Sequence, residues 1–210
     1  MSRRGYFVNT YQDAGDFLRR VHGLYRADLW HDADRRCEVW VESRSIASVL
    51  LADCEELAVD LYPCAGFSSL SFVHEAAEQH NHSGDTRPLV VLYVGDYDPA
   101  GVLIDVSLER ELREHLHDHI ELTFVRIGIN PDQISNYDLP TKPRKATDRR
   151  SLHVTTTVEA EAMPAHILRE LMRAEIEALL PDGALRAAKV AELSERRHLR
   201  RMAAMLGGAT

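Results

Sequence analysis

The 210-residue sequence contains no apolar run approaching the roughly 20 residues that a bilayer-crossing helix needs. Its opening, MSRRGYFVNTYQDAGD, lacks the hydrophobic region of a secretory leader, so a cytoplasmic protein with no membrane association is expected. Cysteine is scarce: Cys37, Cys54 and Cys64 form no CxxC pair, which argues for reduced, packed thiols and against a disulfide frame or zinc clamp. Neither GxGxxG nor GxxxxGK[ST] occurs, which removes the usual dinucleotide and P-loop signatures. Positive charge is also short, with 25 Lys and Arg against 33 Asp and Glu. A net charge of −8 excludes a protein that coats nucleic acid by electrostatics alone. It still permits an enzyme whose phosphate contacts are confined to one basic face.

What is present is the composition of a globular chain, 45% hydrophobic and 28% charged, long enough to bury one sizeable core. Residues 12–29 space Phe17, Leu18, Val21, Leu24 and Tyr25 on one face, which predicts an opening helix. Strands are then predicted at 37–42, 59–64, 89–94 and 121–129, with helices between them and a short helix at 131–137. That alternation implies βαβ units and an α/β fold: a Rossmann-like parallel four-stranded sheet flanked by helices. Past residue 140 a basic, proline-bearing stretch is read as a surface excursion, and SLHVTTTVEAEAMP as holding one more strand. Two helices separated by Pro181, Asp182 and Gly183 complete a helical C-terminal extension. The expected division is a helical lead-in at 1–36, an α/β domain at 37–139 and a basic loop with helical extension at 140–210.

In open parallel sheets ligands bind beyond the carboxyl ends of the strands. Those loops carry Glu42 and Arg44 after the first strand, Gly66, Ser68 and Ser69 after the second, and Asp96 and Asp98 after the third. The third strand runs straight into acids, LVVLYVGDYDPAG. If the first and third strands are neighbours, Glu42 meets Asp96 and Asp98, and three carboxylates that close repel unless a cation holds them. A hard dication such as Mg²⁺ prefers oxygen ligands, and phosphoryl or phosphodiester transfer is the chemistry such a site suits. Gly95 and Gly101 would keep the backbone slim beside a bulky substrate. DxD also ends a strand in haloacid-dehalogenase-type phosphotransferases. There it belongs to the first strand and is followed two positions on by Thr or Val, where this chain has Ala100.

A strand-terminal Glu followed two βα units later by GDYDPAG closely resembles the Toprim domain of topoisomerases, bacterial primases and OLD-family nucleases. Pro99 and Gly101 are most similar to the branch containing the topoisomerase VI A subunit. WVESRSIASVL, AGFSSLSF, YVGDYDPAG, RIGINPDQISNYDLPTKPRKATDRR and VEAEAMP resemble successive blocks of prokaryotic, often phage or mobile-element, Toprim proteins, over roughly residues 15–180. The resemblance implies a Toprim-type fold and a Mg²⁺ site, with Mn²⁺ as substitute, made by Glu42, Asp96 and Asp98, Glu42 serving also as general acid or base. It implies action on DNA phosphodiesters, as a nuclease or as a component of a topoisomerase-like breakage machine. In the topoisomerase VI type the cutting tyrosine lies on a preceding winged-helix domain. Some 36 residues precede the first strand here, so the alternative is a non-catalytic DNA- or partner-binding module that works with a separate winged-helix or ATPase partner. Where relatives have Lys after the glutamate this chain has Ser43 and then Arg44, which would supply the charge at a shifted position.

Several further residues are candidates for phosphate or DNA contact. Lys142, Lys145 and Arg149 lie in the segment LPTKPRKATDRRS, and a second basic stretch runs from Arg186 to Arg201. Ser68 could touch phosphate or cap the following helix. Asp105, about two helical turns beyond Asp98, and Arg126 could support the site from behind. The histidines of HNH at 80–82 are read as part of a polar loop, and those of HLHDH at 115–119 as a helix end suited to its dipole.

Overall fold

The computed structural model of the chain describes residues 9–64, 69–144 and 150–207. They form two compact units, one joining residues 9–29 to 182–207 and the other spanning 30–181. The expected boundaries at 36/37 and 139/140 lie elsewhere, because the helix at 165–178 clusters with the sheet.

The larger unit is an α/β layer structure. Strands β1 (Arg36–Val41), β2 (Asp60–Pro63), β3 (Leu89–Val94) and β4 (Leu122–Gly128) form one parallel sheet in the order β2-β1-β3-β4. The chain reverses direction across the sheet at β1, so the carboxyl ends of β1 and β3 are adjacent, with Trp40 opposite Tyr93 and Val41 opposite Val94. Helices α2 (Arg44–Leu57), α3 (Ser69–His82), α4 (Gly101–His115) and α5 (Pro131–Asn136) follow the strands. Strands β5 (Lys142–Pro143) and β6 (Thr156–Thr157) make a small antiparallel ladder, and α6 (Ala165–Ala178) ends the unit.

Alternation along β1 explains the two cores. Trp40 points with Tyr93 into a cluster containing Val73 and Ala77 of α3 and Leu108 and Leu112 of α4, all essentially dry. Val39 and Val41 alternate to the other face, which α2 and α6 cover with Leu50, Cys54, Leu57, Leu168, Met172 and Ile176. Every residue of β3 is buried, as a central parallel strand requires. Burial pushes the Cys54 and Cys64 thiols up to about 12, so these free cysteines are packed, un-ionised groups. Asp53, buried on α2, ties α6 down through Arg169 and through Arg173 at 2.9 Å.

Two local readings change. The opening helix α1 spans only Ala14–Val21, capped by the Asp13 carboxylate accepting from Asp16 N–H at 2.6 Å. A 3₁₀ turn over His22–Leu24 follows and Tyr25 is extended, so Phe17, Leu24 and Tyr25 remain exposed. His80–His82 finish α3 instead of lying in a loop. His80 is buried: its Nδ1 accepts from Arg36 at 2.9 Å and its Nε2 lies 2.8 Å from Glu38, which also accepts from Trp40 Nε1 at 2.8 Å. The ring closes a buried polar network and is spent on structure.

The last helix, α7 (Ala184–Gly207), belongs to the smaller unit with α1. No helix among the described residues is long and apolar enough to cross a membrane.

Candidate functional site

The parallel register places Glu42, the first residue past β1, beside the first residues past β3. Glu42 N–H donates to Val94 O at 2.8 Å, and the Glu42 carboxylate reaches across so that its Oε2 accepts from Asp96 N–H at 2.8 Å. The expected neighbourhood of the first-strand glutamate and the DxD segment is thus formed. Gly95 makes it sterically possible. A Cβ there would sit 2.7 Å from Glu42 Oε2 and 2.6 Å from the Tyr93 hydroxyl. At Gly101 a Cβ would overlap the Asp96 carbonyl. The glycines therefore keep the backbone slim for the site's own carboxylates and carbonyls.

Each carboxylate is tied by one oxygen. Asp98 Oδ1 accepts from the N–H groups of Ala100 and Gly101, at 2.8 and 2.6 Å, at the start of α4. Asp96 Oδ1 accepts from Ala160 N–H at 2.8 Å. Glu42 Oε1, Asp96 Oδ2 and Asp98 Oδ2 receive no hydrogen bond from the described residues. Burial holds the Glu42 carboxyl above its ordinary range, the Asp96 N–H pulls it back, and the Asp96 and Asp98 charges push it up again. Asp96 is likewise raised by burial, then lowered by the Ala160 N–H and raised by the charges of Glu161, Asp98 and Glu159. In both groups burial is the larger cause and the neighbouring carboxylates add to it.

The Arg126 guanidinium, which acts on Glu42, is already engaged. Arg126 on β4 donates to Ile129 O at 3.0 Å, Gly95 O at 2.9 Å, Gly101 O at 3.3 Å and Asp96 O, and pairs with Asp105 at 2.8 Å. Its charge also lies over the Tyr93 ring, 5.5 Å from the centroid. Arg126 and Asp105 therefore act from behind, fixing the backbone of the 95–101 turn. Beside them the Tyr93 hydroxyl is buried with no partner among the described residues.

The segment VEAEAMP, which carried part of the resemblance but no predicted site residue, crosses the same ends. Val158 and Tyr97 exchange two backbone hydrogen bonds of 2.9 Å, and Ala160 reaches Asp96 as described. Glu161 accepts from Ser43 Oγ at 2.8 Å and from Ser45 Oγ at the first turn of α2. Ser43 is also the N-cap of that helix, accepting from Ile46 N–H at 3.2 Å. The acid alternation in VEAEA was the available signal, but nothing local in it marks a return to the sheet edge.

The remaining candidates are dispersed. Arg44 opens α2 with an exposed side chain. Lys142 is exposed on β5 and pairs with Glu159 at 2.7 Å. Ser68, Lys145, Arg149 and Gly66 lie outside the described residues. Carboxylate oxygens suit a hard dication in kind. In arrangement the three do not form a finished coordination set: among the described residues no group of three His, Cys, Asp or Glu side chains is disposed to hold a metal ion. No family model, curated protein or solved structure matches the chain.

Proposed function

We propose that this protein is a Toprim-like, Mg²⁺-dependent protein acting on DNA phosphodiesters, with Glu42, Asp96 and Asp98 as the metal-binding carboxylates. One observation supports it above the others: Glu42 reaches across the β1 and β3 ends to Asp96, and both carboxyls are held above their ordinary range even with Arg126 acting on Glu42. A half-buried pair of neighbouring acids is unfavourable when both are ionised and is relieved by a divalent ion. The open oxygens of Glu42, Asp96 and Asp98 would hold that ion, with Mn²⁺ as a substitute. Bound there, it would supply Lewis-acid stabilisation of phosphate oxygens. Glu42, whose carboxyl retains a proton more readily than an exposed glutamate, is the candidate proton carrier. Cytoplasmic DNA is the proposed partner.

The test is Mn²⁺ binding by calorimetry together with nicking of supercoiled DNA, for the wild type, Glu42→Gln and Asp96→Asn. Binding and nicking both lost in the variants is the expected result. Metal binding unchanged by both substitutions would overturn the assignment. Metal binding without cleavage would move the reading to a non-catalytic module that needs a winged-helix or ATPase partner.

A further inference from the structure

Helix α7 carries apolar side chains on two sides, and only one of them is covered. The N-terminal segment runs along one face of it, and the seam mixes half-buried Leu185 and Leu199 with polar and small residues. Glu192 accepts from Arg26 at 2.8 Å and from Ala27 N–H at 3.2 Å, and Arg196 donates to Tyr25 O at 2.9 Å. Further along, Gly15 comes so close that a Cβ would lie 3.1 Å from Ala203 O and 2.8 Å from Gly207 N. Gly15, Asp16 and Ala203 are the buried residues of α1 and α7, so the two helices share almost no apolar interior.

A second set of apolar side chains on α7 faces the other way. Val190, Leu193 and Met205 are 62%, 65% and 72% exposed. At about 100° per residue they share an arc within roughly 60° of Val190 with Arg186, Arg197 and Arg201. Successive steps of three or four residues carry this stripe about 28 Å along the helix. No acid lies on it: Glu192 is in the covered seam, and Glu195 is about 140° around from Val190. Charge is segregated on a larger scale too. Residues 9–29 and 182–207 carry nine Lys and Arg against six acids, whereas 30–181 carry 14 against 27.

We propose that this face of α7 docks an amphipathic helix of a partner protein, with an apolar stripe flanked by Asp and Glu. Such a helix buries the apolar knobs at the spacing of helix-in-groove recognition and answers the interleaved arginines. A second copy of α7 would set arginine against arginine. Duplex DNA would satisfy the arginines and leave Val190, Leu193 and Met205 without a use. A membrane surface suits basic residues segregated on the face opposite the apolar one, whereas here both occupy one arc. This inference is independent of the carboxylate site.

The test uses the full chain and fluorescent synthetic peptides: a helix with a leucine stripe flanked by glutamates, the same helix flanked by lysines, and a scrambled glutamate peptide. Short duplex DNA, anionic vesicles and light scattering of the chain alone run in parallel. The expected result is salt-sensitive binding of the glutamate-flanked helix alone. Val190→Ser with Leu193→Ser, and separately Arg197→Glu with Arg201→Glu, should each weaken it by about tenfold or more while leaving the melting temperature unchanged. No binding, equal binding of the lysine-flanked or scrambled peptide, or indifference to the substitutions overturns the proposal. Self-association abolished by the serine pair, or DNA or vesicle binding abolished by the glutamate pair without peptide binding, reassigns the face and overturns it equally.

Discussion

Gly95→Ala is a one-methyl perturbation whose consequence follows from the geometry of the site. The added Cβ would lie 2.6 Å from the Tyr93 hydroxyl, 2.7 Å from Tyr93 Cε1 and 2.7 Å from Glu42 Oε2. All three are far inside van der Waals contact. Tyr93 is completely buried between Trp40, Phe124 and the α4 residues, so its ring has nowhere to go. The Glu42 carboxylate is the group able to move, and moving it breaks its bond to Asp96 N–H. Overpacking and the lost charge-assisted hydrogen bond together cost about 2–5 kcal/mol. For a chain of this size that lowers the melting temperature by about 5–15 °C. Gly23→Ala is the control, because nothing lies within 4 Å of its added methyl. It should be neutral or stabilising by about 0.4–1 kcal/mol through the unfolded chain. Denaturant melts of both variants decide the matter. A Gly95→Ala protein within about 0.5 kcal/mol of the wild type would refute the packing of Glu42 against the 95–96 turn.

Tyr93→Phe removes a buried hydroxyl that has no partner among the described residues, so stability should stay level or rise by up to about 1–3 kcal/mol in urea melts; a loss above about 1 kcal/mol would mean that the hydroxyl is satisfied. Asp53→Asn deletes the charge that Arg169 and Arg173 share, which should destabilise the protein by about 1–3 kcal/mol and speed hydrogen exchange along α6 before the sheet. Glu42→Gln, in metal-free buffer, should melt higher than the wild type at neutral pH. The sign follows from its raised carboxyl: the wild type is least penalised below the ordinary glutamate range and loses stability as pH rises through the folded-state value, so the advantage of the variant should vanish towards pH 4. An advantage that is constant with pH would show that Glu42 is not the group titrating.

The sheet was legible because its strands are short apolar runs bounded by turn residues, and β3 was read residue for residue. Glu42 and the DxD pair were legible for the same reason, since Glu42 ends the first predicted strand and Asp96 and Asp98 follow the third within four residues. What the sequence concealed is what tertiary contact decides. Nothing around Glu161 says that it returns to Ser43, more than 100 residues earlier in the chain. His80 looked like loop polarity because its partners Arg36 and Glu38 are also distant in sequence. Phe17, Leu24 and Tyr25 do follow a helical period, yet the helix stops at Val21 and that face is left uncovered. Periodicity reports which side of an element is apolar, and not whether the chain itself will cover it.

The backbone beneath the carboxylates is held more firmly than the carboxylates are. Arg126 spends its guanidinium on four carbonyls and Asp105, and the Tyr97–Val158 bridge fixes the outer edge of the same turn. Glu42, Asp96 and Asp98, by contrast, are each restrained through one oxygen, and two of those restraints are backbone N–H groups of the 95–101 turn itself. The third, Ala160 N–H on Asp96, comes from the 158–161 segment, whose further anchor is Glu161 on Ser43 and Ser45. Any convergence of the three side chains therefore leaves β1, β3 and the turn in place and is concentrated in side-chain rotation and in that segment. A rigid platform with adjustable acids is what the proposed site would need to accept an ion and a phosphate in turn, since preorganisation of the main chain preserves the geometry while the charged groups respond.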